Sequence, residues 1–267
     1  VGLDDDGMAG PFKGLQAEVQ YEKREGAPGR FSGAIQLPDA QRSTNMGAVK
    51  MVIPEVSFDL YRNGDFKIDI GFPIGLDFSR SLCIEAPPYI GWGGLYFSRK
   101  SNETSAYANV PEVQEDVGSF ESIIEAGIAV KLGYGKSFGQ GILEAGLSIT
   151  GIGILEGTIA TFRSAKDSSK HDKFNWYKGV LGLAGNIFGR VNLEVLTAEI
   201  DCQVSTTADL IMEAYRSSNI AFDFNVDASG EIEVNFGFTK GKITKEFHEH
   251  FKMDFTMGED EDAPWYS

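Results

Sequence analysis

The sequence predicts an all-β fold, an antiparallel meander forming a large sandwich or a closed or half-closed barrel, with two long polar loops. Three observations carry that prediction. Apolar and polar residues alternate at period 2 through much of the chain. Glycine, at 32 of 267 residues, accompanies 19 phenylalanines, a composition suited to strands with many turns and bends. A stretch with an apolar helical face, 178–190, carries glycines at 179, 182, 185 and 189. Each costs a helix about 1 kcal/mol against alanine, so strand is preferred there too.

In chain order, GLQAEVQYEK and RFSGAIQL read as two strands across a polar turn. MVIPEVSFDLYRNGDFKIDIGF is the clearest hairpin. Val56, Phe58 and Leu60 alternate with Ser57, Asp59 and Tyr61, and Phe66, Ile68, Ile70 and Phe72 resume the pattern. Between them Asn63-Gly64 suits the positive φ angles of a type I′ turn. Ile90, Trp92, Gly94 and Tyr96 share one face of the next strand, and 99–121 is a polar surface loop. From 122 the alternation is regular. Gly151 and Gly153 interrupt a long apolar run and predict a bulge or bend. RSAKDSSKHDKFN is the second polar loop, followed by the strand of Ala198, Ile200, Cys202 and Val204 and by further strands to Met257.

The hairpin of 220–238 shows the pattern most fully. Ile220, Phe222, Phe224, Val226, Ile232, Val234, Phe236 and Phe238 fall on one face, with Asp223, Asn225, Asp227, Glu231, Glu233 and Asn235 on the other. The whole chain reads as one β-rich domain with solvated flanks at 1–10 and 258–267. It begins at Val1 without a signal-peptide pattern, which reads as a mature form or a piece of a larger polypeptide.

A formal net charge of −15 argues against nucleic acid, whose phosphates require lysine and arginine, and makes an anionic membrane surface an unfavourable partner. No apolar run is long enough for a transmembrane helix. Cys83 and Cys202 are too few and too far apart for a disulfide scaffold and fit a reducing compartment. A soluble chain is therefore expected, in the cytoplasm more than outside the cell.

Chemistry-bearing motifs are scarce. His248 and His250 point the same way on a strand and form a candidate metal pair, but a zinc or copper site needs a further ligand and Lys252 on that face repels a cation. The acidic runs 4–6 and 259–262 lack calcium-loop spacing. No nucleophile elbow or phosphate loop is present, so no catalytic residue is assigned and no cofactor expected. Candidate apolar-ligand residues are Phe222, Phe224, Phe236, Phe238, Phe247, Phe251, Phe255 and Trp92.

The phrases PEVSFDLYRNGDFKIDIGFP, DFSRSL, IGWGGLYFSRKS, EAGIAVKLGYGKSFGQGILEAGLSITGIGILEGTI and the closing APW resemble a family of very large, uncharacterised bacterial β-rich proteins, over roughly residues 50–265. The resemblance implies a module of a long polypeptide and brings no active-site residues. The expected function is a non-catalytic structural or interaction module, contacting neighbouring domains or itself through sheet edges. A container for a lipid or other apolar molecule and an outer-membrane barrel are the alternatives.

Overall fold

The computed structural model describes residues 16–23, 28–140, 143–167, 169–193, 196–235 and 240–266. They form one antiparallel sheet of 14 strands. The early strands are short: β1 (Gln16–Glu22), β2 (Arg30–Gln36), β3 (Ser43–Met46), β4 (Val49–Val52), β5 (Val56–Tyr61), β6 (Phe66–Ile70) and β7 (Leu82–Ala86). β8 (Tyr89–Ser101) is longer. Then come β9 (Gly118–Gln140), β10 (Leu143–Ser164), β11 (His171–Asn192), β12 (Leu196–Glu213), β13 (Ser218–Asn235) and β14 (Lys240–Met257), each of 18 to 23 residues. One helical turn, α1 (Asp39–Arg42), and a 3-10 helix at Asn102–Tyr107 complete the secondary structure.

The short strands are broken halves of longer ones. β6 and β7 pair with successive stretches of β8, β5 and β4 continue the row against them, and β2 and β3 form the row beyond. The strands therefore fill eleven positions, β1-β2-β5-β6-β8-β9-β10-β11-β12-β13-β14, every neighbour antiparallel and following directly in the chain. The two ends, β1 and β14, are not paired with each other, so the meander is one open sheet among the described residues.

Several local expectations are corrected. The β5–β6 turn is not type I′: Gly64 has φ +90°, but Asn63 is not left-handed, Tyr215 being the one described non-glycine residue with positive φ. Tyr61 N–H donates to the Asp65 carbonyl at 2.9 Å across a three-residue loop, a type of connection that needs one left-handed glycine. Gly151 and Gly153 continue the ladder without a break, opposite Leu183 and Leu181, while the register shift falls at Thr161/Phe162. A Cβ at Gly151 would meet Leu183 at 3.7 Å and one at Gly153 would meet Leu181 at 3.8 Å, ordinary van der Waals contacts. Both polar loops are shorter than predicted, because polar strand ends such as Arg163 and His171 still pair. The strand assignment of 178–190 holds.

Two clusters form the core. Phe72 and Phe78, from the 71–81 connection, lie on Ala129, Ile154 and Val180 of three adjacent strands. At the other cluster Phe120, Ile123, Ala160, Phe162 and Phe174 surround Ala263 and Trp265. Residues 263–265 are thus not a solvated flank: Trp265 is 2% exposed, its indole offering the acidic tail a large apolar area to bury. Residues 1–10 lie outside the described residues. The two cysteines are free, Cys83 buried and Cys202 half-buried.

Candidate functional site

Side chains of directly paired residues stand on the same side of a sheet. One row can be followed across all eleven positions: Ala17, Ile35, Val56, Ile70, Leu95, Ile128, Leu155, Gly179, Leu210, Ile220 and Phe255. Every member is apolar. One residue along, on the other side, the row reads Glu18, Ala34, Ser57, Asp69, Tyr96, Gly127, Glu156, Lys178, Ile211, Asn219 and Thr256. The sheet therefore has an oily side and a polar side along its whole width.

The oily side is uncovered. Leu132 and Leu181, near its middle, are 65% and 67% exposed. The accessible surface of the chain, 17233 Å², compares with roughly 11,000 Å² for a compact monomer of this size. In β9 the band runs from Ile124 to Tyr134, bounded on the same side by Ser122 and Lys136. That is about 33 Å along the strand at 3.3 Å per residue, or about 25 Å in height at a tilt of about 40°. Tyr89 packs on Tyr134 towards one border, with ring centroids 5.4 Å apart. Phe66 packs on Phe97 and Tyr21 on Phe31 towards the other. Among the described residues the charged members of the face are Arg99 of β8, opposite Phe66 and Ile124 at one border, and Lys245 and Glu249 of β14, opposite Gly230 and Val226.

The polar side holds the packed connections. Gly94 lies directly under the 71–81 segment: a Cβ there would stand 2.0 Å from the Gly71 carbonyl oxygen. Phe72 meets the Tyr96 ring edge-on at 4.7 Å. The Tyr96 hydroxyl donates to Glu156 at 3.4 Å. Gly127 between them leaves the space its side chain would take from Tyr96. Arg80 reaches Asp69 at 3.3 Å, and Lys131 stands over Trp92 at 4.9 Å.

A second polar group fixes the loop after β8. Lys100, whose side chain is 3% exposed, pairs with Glu125 at 2.6 Å and donates to the Tyr107 carbonyl, while Glu125 accepts Asn109 N–H at 2.7 Å. Asp65 accepts bonds from Ser101 Oγ and Thr104 Oγ1, each at 2.6 Å. Burial pushes its carboxyl up, but the hydrogen bonds from Ser101, Thr104 and Asn63 outweigh it and hold the pKa below the ordinary value. Neither group was visible in the sequence, because its members lie 25 to 39 residues apart in the chain.

Of the predicted apolar-ligand residues, Phe222, Phe224, Phe247, Phe251 and Phe255 lie together on the oily side. Phe224 faces Phe251, and Phe222 and Phe255 meet at 6.0 Å. Phe236 and Phe238 lie outside the described residues. Trp92 is separated from the phenylalanines: it pairs with Lys131 on the polar side, because odd residues of β8 face the oil and even ones do not. Two clefts, of about 370 Å³ between β1, β2, β5 and β6 and of about 1080 Å³ beside residues 102–121, include none of these phenylalanines.

His248 and His250 do share a side, the polar one, but each turns to its own carboxylate, Asp227 and Asp223 respectively, the latter at 2.9 Å. Lys252 also reaches Asp223, at 3.0 Å. No group of three metal-ligating side chains occurs among the described residues. No helix among the described residues is long and apolar enough to cross a membrane. No family model, curated protein or solved structure matches the chain.

Proposed function

We propose that the chain is a membrane-embedded β-sheet of the outer-membrane type, its oily side meeting acyl chains and its polar side facing water. The carrying observation is the uninterrupted apolar row across eleven strand positions, with a band height of about 25 Å, that of an outer-membrane barrel. Aromatic pairs towards both borders suit the interfacial girdles of that class. Net negative charge does not oppose this reading, since Asp69, Glu156, Asp201, Asp223 and Asp227 stand on the side away from the oil. The sheet also carries packed connections on its polar side, as a barrel carries loops in its lumen.

The test is flotation with phosphatidylcholine vesicles after dilution from detergent. The chain should float, and Leu181→Arg should weaken insertion, since an arginine at the midplane costs a barrel about 2–4 kcal/mol. A chain that stays monodisperse in buffer and never floats overturns the proposal.

A second reading, the structural or interaction module, is favoured by one observation. Lys245 and Glu249 stand within the oily face of β14, where lipid disfavours charge and a protein neighbour can neutralise it.

A further inference from the structure

We infer that β14 is a self-association edge, pairing antiparallel with β14 of a second copy around a twofold axis through Phe247. The inference bears on the membrane reading by supplying the partner for one open edge, but stands on separate observations.

The first is topological. The sheet has eleven positions and every neighbouring pair is antiparallel, so β1 and β14, at its two ends, run in the same direction. Closing the described sheet on itself would require a parallel seam in an otherwise antiparallel meander. Two copies joined at β14 meet antiparallel, as does every other pair in the structure, and the joined sheet has an even number of positions. Such isologous contacts are the commonest symmetric association.

The second is the position of the stray charges. Lys245 and Glu249 project from β14 into the oily side, and neither has an ion-pair or hydrogen-bond partner among the described residues. An antiparallel edge pairs residues whose numbers have a constant sum. One register sets Lys245 of each copy opposite Glu249 of the other, and it is centred on Phe247. The same register then places Ile243 against Phe251 on the oily side and Glu246 against His248 on the polar side. Both formal charges are neutralised, and the remaining oily contacts are hydrophobic. Shifting the centre to Glu249 stacks two carboxylates, and centring on His248 sets both charges against phenylalanines. Opposite charges directly across strands are favourable and like charges are not.

One pair in the chosen register is unfavourable, Lys242 against Lys252. Each is already bound within its own copy, Lys242 to Glu231 at 2.8 Å and Lys252 to Asp223 at 3.0 Å. The whole of β14 is exposed and β13 pairs along its full length on the other side. An uncovered edge of this length is otherwise a liability that charges within the strand serve to restrict. Here the two charges select one partner and one register.

The experiment is performed on the full chain in detergent, in a Cys83→Ser, Cys202→Ala background. Phe247→Cys should give a disulfide-linked dimer on mild oxidation, because a residue on the axis faces its own copy at about 5 Å between Cα atoms. Thr256→Cys on the same strand should not. As a second measure that does not depend on the cysteine, Glu249→Lys should weaken dimerisation roughly tenfold, and Lys245→Glu with Glu249→Lys should restore it. Monomer throughout, or a Glu249→Lys effect that the double exchange does not rescue, overturns the seam. Flotation of the same samples separates the two proposals. Chains that float but never link remove the seam alone, and chains that link in buffer but never float remove the membrane reading alone.

Discussion

Lys100 and Glu125 show how a strand sheet with little interior holds a loop. Both side chains are withdrawn from solvent, and their remaining hydrogen bonds go to the backbone of residues 107 and 109. Removing one member leaves the other charged and buried, which costs about 3–5 kcal/mol. Glu125→Ala should lower stability by that amount in urea titration, with the loss concentrated in protection of the 102–117 segment. Asp65 makes a pH-dependent contribution. Its folded-state pKa lies below the ordinary 3.8, so its stabilisation is fully present above that value and is lost as pH falls through the lower one. Asp65→Asn should flatten the acid limb of a urea-midpoint profile and leave its slope near neutrality unchanged.

Whole strands were legible from sequence wherever alternation ran long. From β9 to β13 most residues have a same-side neighbour on both flanks, so period 2 is enforced by packing and survives even at 178–190, where glycines share the face with leucines. The early half was harder to read. The β5–β6 hairpin declared its period, but β6 and β7 are one strand position divided by the 71–81 connection and α1 divides β2 from β3, so the short pieces β3, β4 and β7 could not declare one. The described phenylalanines of the stripe share one face, and Trp92 was wrongly joined to them because nothing in the sequence says which parity of β8 matches which parity of β13. Trp265 was missed for a plainer reason: a lone indole in an acidic tail has no periodicity. Its destination was in the structure alone, where it meets Phe120, Phe174 and Tyr215 at 5.7, 5.5 and 5.2 Å. Trp265→Ala should cost about 3–5 kcal/mol, read as a drop in Tm, with tryptic release of the tail as the accompanying sign. An unchanged Tm would mean that the tail does not clamp β9–β11.

The molecule as a whole inverts the usual arrangement, its packed groups lying on the polar side and its largest apolar surface facing outwards. The free energy of the folded chain therefore depends on what covers that surface, and a Tm taken in detergent should exceed one taken in buffer by more for this protein than for a compact one. The meander has a different consequence, which concerns how such a chain forms and changes. Every strand position neighbours the one next to it in sequence, so no pairing has to wait for a distant segment. Hairpins can zip in succession from any starting point, with low contact order for an all-β protein, and stability accrues locally as it does in repeat arrays. Removing or adding two consecutive positions leaves every other neighbour, direction and face as it was. A sheet built this way can change width by duplication or loss of a hairpin, which gives its lineage a ready means of altering size without redesigning the fold.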